Sequence, residues 1–244
     1  MWAVIPARYQ STRFPGKPLA QLAGKPMIQH VYERTAATPS VDRVLVATDD
    51  ARIREAVEKF GGEAVMTGDL PTGTDRVAAA IAQLAGRGVT PGWVLNVQGD
   101  EPLIDPEDLE RLVSGLRETA DGVMGTLVFP IKPDDRGDEN QGKVVLELNG
   151  RALYFSRAAI PFLRNPGYRG WRTMGIYLFR ADFLHTFAGL PQTPLAEAEQ
   201  LEQIRALEHG YPIHCFEAHS DSVDVDLPED LAQVEAMMKA RPPG

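Results

Sequence analysis

Three basic residues near the start of the chain, Arg8, Arg13 and Lys17, form a set that could bind a ligand carrying several negative charges. Arginine binds phosphate through a planar fork of N–H donors, and lysine binds it as a point charge. A nucleoside triphosphate is a suitable ligand for such a set. A single cation would be interpreted as part of a solvated turn, but three cations on one short loop favour a binding function.

The element in front of these cations is predicted to be a buried strand. Residues 2–5 form a short apolar run, and Pro15, Gly16 and Pro18 keep the loop that follows out of a helix. Open α/β folds bind their ligands in loops that follow the carboxyl ends of strands. This loop is neither a P-loop nor a Rossmann fingerprint, because GxxxxGK[ST] and GxGxxG are both absent.

A carboxylate, Asp100, follows another predicted buried strand at residues 93–97 and stands beside Gly99. Mg²⁺ typically takes one or two carboxylates together with phosphate oxygens and water, so Asp100 is a candidate ligand. The sequence Gly-Asp-Glu-Pro is also typical of a turn, in which Asp100 would be a turn residue and not a metal ligand. The residues alone therefore leave both interpretations open.

A second polar loop covers residues 67–76 and leads into a predicted helix at 75–85. The amino end of a helix offers N–H donors and a favourable dipole to an anionic or polar ligand. The alternative is that Thr74 simply caps the helix, which would explain Thr74 but not the many small polar residues before it.

The stretch IPAR-x-x-STR-x-PGKP at residues 5–18 resembles the opening of the 3-deoxy-manno-octulosonate (KDO) cytidylyltransferase family. Further stretches are similar to segments of the same family. They are NVQGDEP at 96–102, ALYFSRAAIP at 152–161, MGIY at 174–177, LEQIRALEHG at 201–210 and VDVDLPED at 223–230. The resemblance extends from Ala3 to about residue 238, which is nearly the whole chain.

This resemblance implies an enzyme that joins CTP to a sugar acid with release of pyrophosphate, and Mg²⁺ as its cofactor. It implies roles for the matching positions: catalysis by Arg8, Arg13, Lys17 and Asp100; nucleotide binding by Arg8, Ser11, Arg13, Lys17, Thr74 and Arg76; sugar binding by Gln98, Arg157, Tyr177, Glu202 and Gln203; and metal binding by Asp100 and Asp226. We interpret Glu197, Glu199 and Glu208 as members of a solvated helix face.

Two residues depart from the family pattern. Thr173 stands where the family usually has histidine, and Gly142 stands where it tends to have valine. These departures leave open a related sugar acid, such as 8-amino-KDO or a sialic-type acid, as the substrate. A different class of function, a non-catalytic nucleotide-binding domain, is disfavoured because Lys17, Asp100 and Asp226 are all present.

The 244 residues and ordinary composition predict one α/β domain. The resemblance implies that its central sheet is mostly parallel and flanked by helices, as in nucleotide-diphospho-sugar transferases. Residues 130–180 are predicted to form an excursion that includes a hairpin around Asn149-Gly150, for sugar binding or a homodimer contact. The predicted helices cover residues 27–37, 51–60, 75–85, 106–117, 194–209 and 228–239, with Thr48 or Asp49 capping the second.

The net charge of −9 argues against a nucleic-acid partner. The single cysteine, Cys215, excludes an internal disulfide. No apolar run approaches the roughly twenty residues of a membrane span, and no signal peptide is evident. These features predict a cytoplasmic protein without a membrane partner.

Overall fold

The computed structural model describes residues 1–11, 13–86, 88–165 and 167–240. Thr12, in the N-terminal motif, and Pro166 lie outside the described residues. The chain divides into two units, the first made of Met1–Glu110 and Ser222–Gly244 and the second of Arg111–Asp221. The predicted excursion at 130–180 falls within the second unit, and the prediction of a single domain stays a prediction.

The strands and helices alternate along much of the chain. The strands are β1 Trp2–Ala7, β2 Gln21–Leu22, β3 Lys25–Pro26, β4 Arg43–Thr48, β5 Glu63–Met66, β6 Trp93–Asn96, β7 Met124–Pro130, β8 Lys143–Leu146, β9 Ala152–Ser156, β10 Trp171–Arg180 and β11 His214–Glu217. The helices are α1 Met27–Ala36, α2 Ala51–Lys59, α3 Gly73–Ala85, α4 Pro106–Glu118, α5 Ala181–Gly189, α6 Pro194–Glu199, α7 Ile204–Glu208 and α8 Asp230–Ala240. None of the helices among the described residues is long and apolar enough to cross a membrane.

In the first unit, strands β6, β1, β4 and β5 lie side by side in that order, and all three pairings are parallel. Val4 lies opposite Leu45 on one side and Asn96 on the other. Ala3, Val4 and Ile5 have no exposed surface. Parallel strands with both faces covered are continuously apolar in sequence, which is why β1 could be recognised as buried.

The amino ends of α2 and α3 are capped by residues other than those predicted. Asp50 caps α2 by accepting from the backbone N–H of Arg52, and Thr72 caps α3 by accepting from the N–H of Asp75 at 3.1 Å. Thr48, Asp49 and Thr74 are therefore not the caps. Thr48 still belongs to β4, and Thr74 lies inside α3, which begins two residues earlier than predicted.

In the second unit, β7 pairs in parallel with β11 and antiparallel with β10, while β10 also pairs antiparallel with β8. Strands β8 and β9 form the predicted antiparallel hairpin, and Gly150 in its turn has a φ of 85°. The predicted helix at 194–209 is wrong as one element. It is divided into α6 and α7, because Gln200 adopts the left-handed conformation with a φ of 52°.

Helix α5 was not predicted from the sequence. Its Phe183 and Phe187 rings lie 6.4 Å apart, and Phe187 also packs against Phe179 of β10 at 5.5 Å. Aromatic packing of this kind comes from tertiary contacts. A helix of nine residues that is stabilised in this way shows no clear helical pattern in its own sequence.

The two residues that depart from the family pattern, Gly142 and Thr173, are in contact. The N–H of Thr173 donates to the carbonyl of Gly142 at 2.8 Å. A Cβ on residue 142 would lie 2.9 Å from the Thr173 methyl carbon. Because a β-branched side chain has little freedom at χ1, it cannot easily move away.

We expect Gly142→Ala to lower the free energy of unfolding by about 1–2 kcal/mol through overpacking. Thr173→Ser removes the obstructing methyl group, so the double variant should recover most of the loss. Urea denaturation of the two single variants and the double variant measures this coupling. Gly137→Ala is the matched control, since nothing lies within 4 Å of its added Cβ. Equal effects of Gly142→Ala and Gly137→Ala would contradict the prediction.

Candidate active site

The loop after β1 is folded back onto Tyr9. The N–H of Gly16 donates to the carbonyl of Tyr9 at 2.9 Å, and Gly16 has a φ of 73°. A Cβ at this position would approach the Tyr9 ring to 3.1 Å, so glycine is favoured here for both conformation and space. The guanidinium of Arg52 stacks on the Tyr9 ring, 3.3 Å from the ring centroid. Asp50 in turn pairs with Arg52 at 2.6 Å. This stack fixes the backbone immediately before Lys17.

The three cations of the loop differ in their surroundings. Arg8 is exposed at the carboxyl end of β1 and has no hydrogen bond or ion pair with any described residue. The Arg13 side chain is 54% exposed, whereas that of Lys17 is only 15% exposed. Ser11 shapes the turn between them, because its hydroxyl accepts from the N–H of Phe14 at 3.2 Å.

The aspartates predicted to share a metal ion, Asp100 and Asp226, meet in the first unit at Lys17. The Lys17 Nζ lies 2.6 Å from Asp100 Oδ2 and 3.5 Å from Asp226 Oδ1. Arg13 completes the arrangement by donating from Nη1 and Nη2 to the two oxygens of Asp226, at 2.9 and 3.0 Å. The structure therefore contains the predicted meeting of two carboxylates, and their binding of a metal stays a prediction.

An apolar cluster brings these charged residues together. Its buried members are Leu22, Met27, Leu103, Val225 and Val234, and the partly buried side chains packed against it are Phe14, Val223, Leu231, Met237 and Met238. Phe14 follows Arg13 in the chain, and Val225 precedes Asp226. The N–H of Val225 also donates to the carbonyl of Asp100 at 3.0 Å.

The turn that carries Asp226 is held by the first residue of α8. Asp230 Oδ2 accepts from the N–H groups of Asp226 and Leu227 at 2.8 and 2.7 Å. A carboxylate at the amino end of a helix is also favoured by the helix dipole. Asp230 therefore orients the Asp226 turn.

The amino end of α3 lies against the carboxyl ends of β1 and β6. A Cβ on Gly73 would lie 3.4 Å from the Pro6 ring and 3.7 Å from the Gln98 side-chain oxygen, and a Cβ on Gly99 would lie 3.0 Å from the Pro6 carbonyl. Thr74 is fully buried, and its hydroxyl accepts from the Asn96 amide at 3.1 Å. Gln98 and Thr74, two of the predicted ligand-binding residues, thus lie at the same edge of the sheet.

Arg76, which the resemblance assigns to the nucleotide, is used internally. Its side chain is 3% exposed, and its Nη2 pairs with Asp49 at 2.8 Å. Its Nη1 donates to the Thr67 hydroxyl at 2.6 Å and to the Gly68 carbonyl at 3.3 Å. Arg76 therefore holds the 67–72 loop in place, and this geometry does not support a direct contact with the nucleotide. Nothing in the sequence indicated that Asp49 would be the acidic partner of Arg76.

Arg157, in the second unit, is also occupied by the chain itself. Its guanidinium donates to the carbonyl oxygens of four residues, namely Glu139, Asn140, Glu199 and Gln200, at 2.9–3.3 Å. These four contacts cross-link the backbone at residues 139–140 to the backbone at residues 199–200. The structure therefore gives Arg157 a positioning role, and its predicted contact with the substrate stays a prediction.

Lys143 has a similar role beside Arg157. It is among the largest fully buried side chains, and its ammonium donates to the carbonyls of Asp138 at 2.6 Å, Gln141 at 3.0 Å and Arg157. Burial lowers the pKa of Lys143. Nothing in the sequence KVVL distinguishes this lysine from one at the exposed end of a strand.

The interpretation of Glu199 as a solvated residue was wrong. Its carboxylate accepts from the Ser156 hydroxyl at 2.6 Å, the Arg157 N–H at 2.8 Å and the Tyr154 hydroxyl at 3.2 Å. Burial acts to raise the pKa of Glu199, but these hydrogen bonds outweigh it and hold the pKa below its ordinary value. Glu199 thereby ties α6 to β9.

The remaining predicted sugar-binding residues are brought together within the second unit. Tyr177 is 5% exposed, and burial together with the nearby charge of Glu202 raises the pKa of its hydroxyl, which also contacts Thr173. Gln203 is 2% exposed, and its amide nitrogen has no hydrogen-bond partner among the described residues. Tyr177, Glu202 and Thr173 thus form one polar group, and Gln203 follows Glu202 in the chain.

Comparisons with known proteins show which family the chain resembles. The cytidylyltransferase family model matches residues 2–218. A 3-deoxy-manno-octulosonate cytidylyltransferase of Myxococcus xanthus is 54% identical, covering 98% of this chain and 96% of its own. An 8-amino-3,8-dideoxy-manno-octulosonate cytidylyltransferase of Shewanella halifaxensis is 49% identical, covering 96% and 97%.

Solved structures show the same fold. A CMP:2-keto-3-deoxy-manno-octonic acid synthetase complexed with CTP superposes with a TM-score of 0.91 at 42% identity, covering 98% of both chains. A 4-diphosphocytidyl-2C-methyl-D-erythritol synthase shares the fold at a TM-score of 0.66 and 17% identity. These likenesses confirm the α/β fold with a mostly parallel central sheet flanked by helices. The chain therefore belongs to the cytidylyltransferase family, among relatives that include the 3-deoxy-manno-octulosonate cytidylyltransferases.

Proposed function

We propose that this cytidylyltransferase couples CTP to KDO, giving CMP-KDO and pyrophosphate for lipopolysaccharide synthesis. The observation that carries the proposal is the convergence of Lys17, Arg13, Asp100 and Asp226 at the carboxyl edge of a parallel sheet. The relative at 54% identity and the solved relative complexed with CTP support the same reaction.

The triphosphate would be bound by the cations of the first loop. Arg8 is exposed and has no competing partner among the described residues, so its fork is available for a phosphate. Arg13 and Lys17 lie on the same loop, whose backbone is fixed by the contact between Gly16 and Tyr9. A loop with a fixed backbone loses little conformational freedom when the ligand binds.

Asp100 and Asp226 fit a magnesium ion. Their carboxylates come from distant parts of the chain and both lie within 3.5 Å of one cation, the Lys17 ammonium. Among the described residues no group of three or more His, Cys, Asp or Glu could hold a metal, so phosphate oxygens and water would supply the other ligands. That donor set is the one Mg²⁺ prefers. When bound, Mg²⁺ would neutralise phosphate charge and promote deprotonation of the attacking hydroxyl.

The reaction is an in-line displacement. The anomeric hydroxyl oxygen of the sugar acid forms a bond to the α-phosphorus of CTP, and the bond from that phosphorus to the bridging oxygen of pyrophosphate breaks. The hydroxyl proton passes to solvent water, and the electron pair of the broken bond leaves with pyrophosphate. Arg8, Arg13 and Lys17 would stabilise the charge on this leaving group, so the chain contributes positioning and electrostatics with no covalent intermediate.

The second unit would bind the sugar acid through Tyr177, Glu202 and Gln203. The unpartnered amide nitrogen of Gln203 is a donor that a ligand hydroxyl or carboxylate could use. We place KDO first because the relative at 54% identity carries that name. The 8-amino analogue is the second candidate, because a relative with 49% identity is named for it and Thr173 departs from the family histidine.

We also propose that the chain forms a homodimer and acts in the cytoplasm, where CTP is available. Leu148 and Leu153 of the hairpin and Phe162 are exposed apolar side chains in the second unit. Burial of such side chains against a second copy would be favourable. Sedimentation over a range of protein concentrations tests the dimer, and a monomer at all concentrations would refute it.

We expect Mg²⁺-dependent release of pyrophosphate from CTP only when a sugar acid is added. The assay is run with KDO, 8-amino-KDO and a sialic acid in turn. Release that is fastest with KDO supports the proposal, whereas release only with another acid would keep the chemistry and change the substrate. The absence of release with all three acids, while CTP still binds, would favour a nucleotide-binding domain without catalysis.

Asp100→Asn and Asp226→Asn should each lower kcat by at least about 100-fold, because even indirect partners of a metal site typically contribute 10–100-fold. Each substitution removes a charge while keeping the shape of the side chain. Glu55→Gln, an exposed acidic residue on α2, is the control and should retain full turnover. Unchanged turnover in either aspartate variant would remove that residue from the mechanism.

A further inference from the structure

The carboxylates assigned to the metal are already paired with the cations assigned to the phosphates. Lys17 contacts Asp100 at 2.6 Å and Asp226 at 3.5 Å, and Arg13 engages both oxygens of Asp226. Two positive and two negative side chains thus form a closed group with no net charge. Lys17 is the member that contacts both carboxylates.

These contacts conflict with simultaneous use of the same groups for a ligand. An Asp226 carboxylate held at both oxygens by Arg13 has reduced capacity to coordinate a metal ion. A divalent cation between Asp100 and Asp226 would also be repelled by an ammonium group in contact with both of them. The two cations must therefore leave the carboxylates before a metal ion can bind strongly.

The loop geometry allows this exchange to occur through side chains alone. Arg13 is 54% exposed, and lysine carries its charge on a flexible four-carbon stem. The Lys17 backbone is held at the start of a short 3₁₀ turn at Lys17–Leu19, so it can remain in place while the ammonium reorients. A triphosphate offers Lys17 and Arg13 alternative anionic partners.

We propose that Lys17 is an internal competitor for the divalent cation, so that the metal ion and the triphosphate enter the site cooperatively. The nucleotide draws Lys17 and Arg13 towards its phosphates, which frees Asp100 and Asp226 for the metal. Without a nucleotide, the same carboxylates bind a divalent cation weakly. This inference rests on the proposed function and adds the coupling between its two ligands, since such coupling acts in both directions.

The test measures binding of Mn²⁺ alone, without nucleotide, from the paramagnetic resonance signal of the free ion. Lys17→Met removes the competing charge and keeps the length of the side chain. We expect it to bind Mn²⁺ on the order of tenfold more tightly than the unsubstituted protein, within the usual range of coupling between sites. Adding Asp100→Asn to Lys17→Met should abolish the gain, which assigns the ion to this pair of carboxylates.

Lys25→Met is the matched control. Lys25 pairs with Glu33 at 2.6 Å, so the control removes the same charge from a single exposed ion pair. It should leave Mn²⁺ binding unchanged. Arg13→Gln provides a second variant in case Lys17→Met does not fold, and it should tighten Mn²⁺ binding by a smaller factor because Arg13 contacts one carboxylate only.

Equal Mn²⁺ affinity of the unsubstituted protein and both variants would overturn the inference. A gain that survives Asp100→Asn would also overturn it, because the ion would then be bound elsewhere. Loss of pyrophosphate release is a separate readout. If the Mn²⁺ measurements show no competition by Lys17, the proposed function is unaffected. If no sugar acid gives pyrophosphate release, the competition between Lys17 and the metal ion is unaffected.

Discussion

The site depends first on the apolar cluster beneath the charged groups. Arg13 and Asp226 are 213 residues apart in the chain, yet their ion pair is partly exposed and such pairs contribute only about 0–1 kcal/mol. Each buried Leu, Met or Val side chain of the cluster contributes about 1.5–3 kcal/mol. The cluster therefore determines where the first loop, the segment after β6 and the approach to α8 lie, and the ion pairs form because those segments are already adjacent.

Most of the fold could be predicted from local pattern. Strand β1 and helices α1 and α2 were predicted to within two residues at each end, because buried parallel strands and amphipathic helices have clear periodicities. Helix caps were predicted less well. A run such as Thr48-Asp49-Asp50 offers three competent caps, and only the position where the strand ends decides that Asp50 is the one used.

The candidate site could be predicted by residue type but only partly by role. The sequence identified the cations, yet it could not distinguish Arg8, which is open to solvent, from Arg76, which is buried against Asp49. Arg157 likewise serves four carbonyl groups of its own chain. A guanidinium carries five donors, so it is as well suited to cross-link loops as to bind a ligand. Only tertiary contacts show which of these uses a given arginine has.

The first unit is discontinuous, since Ser222–Gly244 returns to it after the whole second unit has been completed. Asp226 and Val225 are therefore synthesised long after Arg13, Phe14 and Asp100. On the ribosome, the growing chain carries the cations of the first loop and an unfilled place in the apolar cluster until the segment after residue 221 emerges. The order of synthesis thus keeps the two carboxylates apart until the whole second unit has been made, so a nascent chain cannot assemble the complete site before that point.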